Sequence, residues 1–144
     1  MTKFRLDTLL RLRVQVRDRR RVELSEAYRA EDVLEQREVE LNGMLERLRD
    51  EYRDLAQAGK VPLDRLVESQ RYELVLKAEC QSTRDQKDLI AKEVEKRRIA
   101  LVDADREVRV LEKLREKQRK REDIAERRRD NIEMDEVSAR LRMR

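Results

Sequence analysis

The sequence predicts an all-α fold: an antiparallel two-helix coiled-coil hairpin whose second helix is longer and overhangs the first. Three observations carry this. Of 144 residues, 49% are charged and 3% aromatic, with no tryptophan, no histidine and one phenylalanine, Phe4. Globular domains are nearer about 25% charged, so no thick core can form here. Disordered segments are rich in proline, glycine and serine, but this chain has one proline and two glycines. Leu, Ala, Glu, Lys and Arg dominate instead, the composition of long helices. The second observation is a single interruption at residues 56–64, which holds Gly59 and Pro62. The third is that apolar residues on both sides recur in alternating steps of three and four, laying one stripe along each helix.

The first helix is predicted over about residues 4–58. Its clearest register is Leu34, Glu38, Leu41, Leu45, Leu48, Tyr52, Leu55. Traced backwards it passes Glu31, Ala27, Leu24, Arg20, Arg17 and Arg13 before reaching Leu10 and Leu6, so charge interrupts the seam. Val14, Val16, Val22, Val33 and Val39 fall off it, which implies a drift in phase or a wider apolar face. Gly43 lies mid-helix at a cost of about 1 kcal/mol relative to alanine, and is expected to let the partner helix approach closely.

The turn is predicted at 59–62. Gly59 suits the left-handed position past a helix end, Pro62 the first turn of the next helix, and Asp64 the positive end of its dipole. The second helix is predicted over about 63–140. Leu66, Ser69, Glu73, Leu76, Cys80, Thr83, Lys87, Ile90, Val94, Arg97, Leu101, Ala104, Val108 and Leu111 keep the alternation. At about 1.5 Å per residue this helix outruns the first by some 20 residues or more, the overhang beginning near Arg115 or Arg121.

The charge is patterned. Residues 3–29 carry nine basic and four acidic side chains, residues 106–144 fourteen and ten, and the stretch between them fourteen and nineteen. A hairpin therefore brings two basic segments to the end that holds both termini and leaves the bend end acidic. The single Cys80 excludes an internal disulfide and fits a reducing compartment. No segment resembles a signal peptide or approaches the roughly 18 apolar residues of a membrane span. A soluble cytoplasmic protein is expected.

Enzyme chemistry lacks its parts, so no catalytic residue, metal ligand, cofactor or small-molecule substrate is assigned. Without histidine there is no Cys/His zinc cluster or Cys-His nucleophile. With only Gly43 and Gly59 there is no glycine-rich phosphate loop. Cys80 lies on the seam and reads as a small core residue. The runs Arg19-Arg20-Arg21, Lys96-Arg97-Arg98, Arg119-Lys120-Arg121 and Arg127-Arg128-Arg129 raise a nucleic-acid reading. Interleaved acids and the lack of aromatic stacking residues count against it. Tyr52 and Tyr72 sit about ten residues either side of the bend, so the hairpin brings them to similar height. They close the seam near the turn, or they form a docking patch with Leu41, Leu45, Leu48 and Leu76.

Three stretches carry a family resemblance: Phe4-Arg5-Leu6-Asp7-Thr8-Leu9-Leu10-Arg11-Leu12-Arg13 at the start, Leu48-Arg49-Asp50-Glu51-Tyr52-Arg53 before the bend, and the Met134-Asp135-Glu136 tail. In these the chain resembles the FliJ family, the small coiled-coil component of bacterial flagellar type III export. The resemblance implies a non-enzymatic stalk, peripheral to the inner-membrane export apparatus. It implies that the stalk binds the hexameric export ATPase (FliI-like) through the end where the termini meet, and the export gate protein (FlhA-like) nearer the bend. Export chaperones are a further candidate partner. Leu41, Leu45, Leu48, Tyr52, Tyr72 and Leu76 then form the gate-facing patch, with Leu48, Glu79 and Thr83 departing from the family pattern. Phe4, Leu6, Leu10, Arg19, Arg20, Arg21, Arg127, Arg128, Arg129, Met134, Asp135 and Glu136 form the ATPase-binding end. The alternatives are the equivalent stalk of a virulence secretion system, a basic coiled-coil nucleic-acid binder, and a structural rod of parallel dimers.

Overall fold

The computed structural model describes residues 3–59 and 62–144. Two helices, α1 (Asp7–Gln57) and α2 (Leu63–Arg142), make the all-α hairpin, with no strand among the described residues. The α1 helix starts three residues later than expected. Phe4 and Leu6 form a lead-in turn, the Phe4 carbonyl accepting from the Asp7 N–H at 3.1 Å and the Leu6 carbonyl from Leu10 at 2.8 Å. Asp7 then stands at the positive helix end and pairs with Arg11 at 3.1 Å.

At the other end of α1, the Gly59 N–H donates to the Ala56 carbonyl at 3.3 Å and Gly59 has φ +76°. A side chain would be strained in that conformation, so glycine ends the helix there. Lys60 and Val61, the middle of the expected turn, lie outside the described residues. The Pro62 carbonyl accepts from the Leu66 N–H at 3.1 Å and closes the first turn of α2, where Asp64 sits. Arg140 and Arg142 occupy the last turn, at the negative end of the helix dipole.

Contacts divide the hairpin into two compact units: Met1–Arg20 with Leu101–Arg144, and Arg21–Ala100. Each residue of a thin helix pair touches only what lies across from it. In the first unit the core is Leu10, Val108 and Leu111, with Val14 packed against it and Ala104 also buried. In the second it is Leu41, Leu45, Leu76 and Cys80, with Met44 and Leu48 against it. Every α2 seam residue read from the sequence between Leu66 and Leu111 is buried or half-buried. On α1 the register holds from Leu10 to Leu48 and at Leu55, while Leu6 and Tyr52 turn outward at 38% and 43% exposure. Arg115, Gln118 and Glu122 are still half-buried, and every residue from Asp123 to Arg144 is exposed. The overhang therefore starts just past Glu122, because the lead-in at Lys3 and Phe4 still covers α2 there.

Gly43 does not serve a close approach of the partner helix. It lies two residues past Leu41, about 200° round the helix and so away from the seam. A Cβ built there meets only the end of the Arg47 side chain, at 4.0 Å. The Gly43→Ala variant is therefore expected to be more stable by about 1 kcal/mol. A thermal melt should show a midpoint a few degrees higher, and an unchanged or lower midpoint would contradict this placement.

Candidate partner-binding surfaces

In the second unit, Leu41, Leu45 and Leu76 are 0%, 8% and 3% exposed, so these members of the expected gate patch are the hydrophobic floor of the seam. Leu48 is half-buried, and Tyr52 and Tyr72 are exposed. Toward the bend the seam residue Ser69 is too small to fill the space between the helices. A hollow of about 370 Å³ opens there, lined by Leu48, Tyr52, Leu55, Leu66, Ser69 and Tyr72 among others. A second, of about 530 Å³, lies on the Arg49 and Arg53 side of Tyr52 and also reaches Leu48 and Ser69. The two tyrosines thus meet at one level, as the hairpin required. What reaches the surface is an aromatic pair at an unfilled gap, with Leu48, Leu55 and Leu66 lining it.

In the first unit Leu10 is core, Phe4 half-buried and Leu6 partly exposed. Phe4 lines a hollow of about 790 Å³ with Arg115, Arg119, Glu122, Glu126 and Arg129 among others, which joins it to one of the three consecutive arginines of the overhang. Arg127, Arg128, Arg129, Met134, Asp135 and Glu136 are all exposed. Arg19 is exposed and Arg20 half-buried, but neither is near those arginines. Arg17 faces Asp105 at 3.9 Å, and Arg127 lies 22 residues beyond Asp105 in α2, roughly 33 Å further along. Arg21, exposed, belongs to the second unit. Within the first unit, Arg19 and Arg20 and the three arginines of the overhang are two separate surfaces.

The charged seam positions read as interruptions are cross-helix partners. Lys87 donates to Glu38 at 2.8 Å, with Arg84 at 3.8 Å from the same carboxylate. Arg97 donates to the Glu23 carbonyl at 2.5 Å and to Glu93 at 2.8 Å. Arg37 pairs with Glu79 at 2.8 Å, and Arg13 with Glu107 at 2.8 Å. The buried Nε of Arg17 has no hydrogen-bond partner and lies 3.5 Å from an Asp18 carboxylate oxygen. The signal for these pairs was present in the sequence. Reflecting the seam through the 59–62 turn sets Glu38 near Lys87 and Arg13 near Glu107. Thr83, the one buried polar residue described in the core, returns its hydroxyl to the Glu79 carbonyl at 2.8 Å. Its hydrogen bond is thereby met within its own helix.

Among the described residues no cluster of His, Cys, Asp and Glu could hold a metal ion. No described helix is long and apolar enough to cross a membrane. The described residues form two helices, with exposed apolar and charged side chains in each unit. The chain matches the family model described as "Flagellar FliJ protein" over residues 2–144, and it belongs to that family. It is a component of flagellar protein export, associated with the export apparatus. This placement favours the flagellar machine over the virulence counterpart. No curated protein and no solved structure matches the chain.

The Lys87 hydrogen bond, with the Lys87 and Arg84 charges, holds the Glu38 carboxyl below its ordinary value of 4.5, against the opposing effect of burial. The same bond and the charges of Glu38, Glu35 and Glu31 raise Lys87 above 10.5, again against burial. The pair's stabilisation is therefore complete between those two values. It is lost as pH falls below 4.5 through the depressed carboxyl, and as pH rises above 10.5 through the raised ammonium. Glu38→Gln should lower stability at neutral pH and flatten the acid limb, measured by urea unfolding across pH. An acid limb as steep as the parent's would refute the assignment.

Proposed function

We propose that this protein is a non-enzymatic stalk of the flagellar export apparatus that binds the export ATPase ring and couples it to the export gate. The observation that carries the reading is the uncovered length of α2. From Asp123 onward every residue of the helix is exposed, and Ile124, Ile132, Met134, Val137 and Leu141 are each more than half exposed beside Arg127, Arg128 and Arg129. A lone helix with that surface is completed by a partner that encloses it, as the lumen of a hexameric ring does. Phe4, Leu6 and Leu10 belong to the same unit, and Leu10 anchors the helix pair from which the overhang projects. Met134, Asp135 and Glu136 lie within the overhang itself. Arg19 and Arg20 lie apart from the overhang in the same unit, and with Arg21 next in the sequence they contribute electrostatic steering rather than the enclosed contact.

The gate protein is assigned to the bend-end surface of Tyr52 and Tyr72. Exposed aromatic residues over a hollow lined by Leu48, Leu55 and Leu66, with Leu45, Leu76 and then Leu41 continuing the seam away from the bend, are the type of site that concentrates binding energy. Membership of the flagellar family supports both partners.

Reversing Arg127, Arg128 and Arg129 to glutamate is expected to abolish capture of the hexameric export ATPase while the helical circular dichroism signal stays at the parent level. The same reversal at Arg19, Arg20 and Arg21 should only slow association and weaken its salt dependence. Retention of ATPase binding by the first variant would overturn the assignment of ends. Tyr52→Ala with Tyr72→Ala should weaken binding of the gate protein's cytoplasmic domain by about tenfold or more, as loss of two anchor residues does. Calorimetric titration reads this directly, and an unchanged Kd would remove the gate from the bend.

A further inference from the structure

The outer face of α2 in the Arg21–Ala100 unit has a stretch without charge. Ala78 stands two residues past Leu76 and two before Cys80, both buried. At about 100° per residue it therefore points directly away from α1. Within about 60° of Ala78 lie Leu74, Val75, Gln81 and Ser82, all exposed, the first two by 67% and 54%. In a chain that is 49% charged, this stretch keeps every charge off its outer face. Lys77 pairs with Glu73 at 3.0 Å, Glu79 reaches Arg37 across the seam at 2.8 Å, and Arg84 lies 3.8 Å from Glu38. Charge returns to the outer face at Arg71 and Asp85, seven residues either side of Ala78. Asp85 accepts a hydrogen bond from Gln81 at 3.0 Å, and neither Arg71 nor Asp85 has an ion pair among the described residues. Val67 and Leu89, exposed by 40% and 66%, lie on the same face, eleven residues either side of Ala78.

We propose that this face binds the same face of a second copy of the chain, antiparallel, about a two-fold axis at Ala78. The face is its own complement. Antiparallel pairing about Ala78 sets Arg71 opposite Asp85 of the second copy, and the two-fold repeats that contact on the other side of the axis. Leu74 then stands beside the second copy's Gln81 and Val75 beside its Ser82, while Val67 against Leu89 closes each end. With alanine at the axis the two backbones can approach closely. Glu68 and Asp88 fall about 80° to opposite sides of Ala78, so the pairing does not bring these acids together. Charge excludes the parallel arrangement, which would set Arg71 against Arg71 and Asp85 against Asp85. The face is about 33 Å long and one helix wide, the size of a weak, reversible contact rather than an obligate one. It uses none of the residues assigned above to the export ATPase or the gate.

Sedimentation velocity of the full chain is expected to show a monomer–dimer equilibrium with a Kd of about 100 μM. Arg71→Asp and Asp85→Arg should each weaken it by more than about tenfold, since each sets like charges together on both sides of the axis. Mixed in equal amounts, the two single variants should associate again, because every charge contact across the axis then joins an aspartate to an arginine. The double variant should dimerise as the parent does. Leu74→Asp should weaken association, and Glu46→Arg on the outer face of α1 should leave it unchanged. Every substituted residue is exposed, and circular dichroism at the parent level confirms that the helices persist. A chain that stays monomeric to about 1 mM, a dimer indifferent to both single charge changes, or a mixture that fails to restore it would each overturn the proposal. So would a monomeric chain that captures the gate protein's cytoplasmic domain through Leu74 and Val75, which would give the face to a different protein. Self-association is read without ATPase or gate present, so this inference and the stalk reading stand or fall separately.

Discussion

Antiparallel pairing in this protein depends on a seam that carries too few apolar residues to be held by burial alone. In each unit a small cluster, Leu10 with Val108 and Leu111 or Leu41 with Leu45, Leu76 and Cys80, excludes water over a short distance. Elsewhere the seam alternates half-buried apolar residues such as Leu24, Leu34, Ile90 and Val94 with long charged side chains whose stems cover the partner helix while their ends pair across it. Lys87 with Glu38 and Arg13 with Glu107 are the clearest instances. Such pairs contribute little net stability when solvent reaches them. They do fix register, since a slip of one heptad would set Glu38 opposite Cys80 or Val94 and Arg13 opposite Ala100 or Leu114, leaving each charge without its partner. Register in turn decides which side chains adjoin on each flank.

A seam built this way leaves surface that is itself incomplete. The bend end lacks a side chain large enough at Ser69, so Tyr52 and Tyr72 stand over hollows rather than in a packed core. Among the described residues the far end of α2, from Asp123 to Arg142, has no helix beside it. Membership of the flagellar family makes the chain a component of protein export, and surfaces of this kind are what the proposed stalk role uses. Each unsatisfied stretch is a place where a partner can supply the missing packing and stabilise the fold by mass action.

Much of this was legible before any coordinates. The alternation of three and four along α2 named its buried residues from Leu66 to Leu111, because a continuous helix has a fixed angular step and the apolar residues must face the partner. Gly59 and Pro62 marked the bend for equally local reasons of backbone conformation. At the ends of α1 the reading failed. Leu6 and Tyr52 are in register but turn outward, since phase says where a side chain starts and not whether the opposite helix has anything to cover it with. Gly43 was misread for the complementary reason: its absence of a side chain is conspicuous, but its position two residues past Leu41 points it away from the partner.

The sequence by itself determined that the chain is two helices, where they meet, which stripe of each is buried, and, through its end motifs and bend segment, the family. Those properties follow from local propensity and periodicity, which neighbouring residues set. Only the tertiary structure decided which charges pair, that Arg19 and Arg20 lie more than about 33 Å from Arg127, and that the overhang begins after Glu122. These depend on the relative height and rotation of two helices. That placement arises only when both pack, because each adjacency joins residues far apart in the chain.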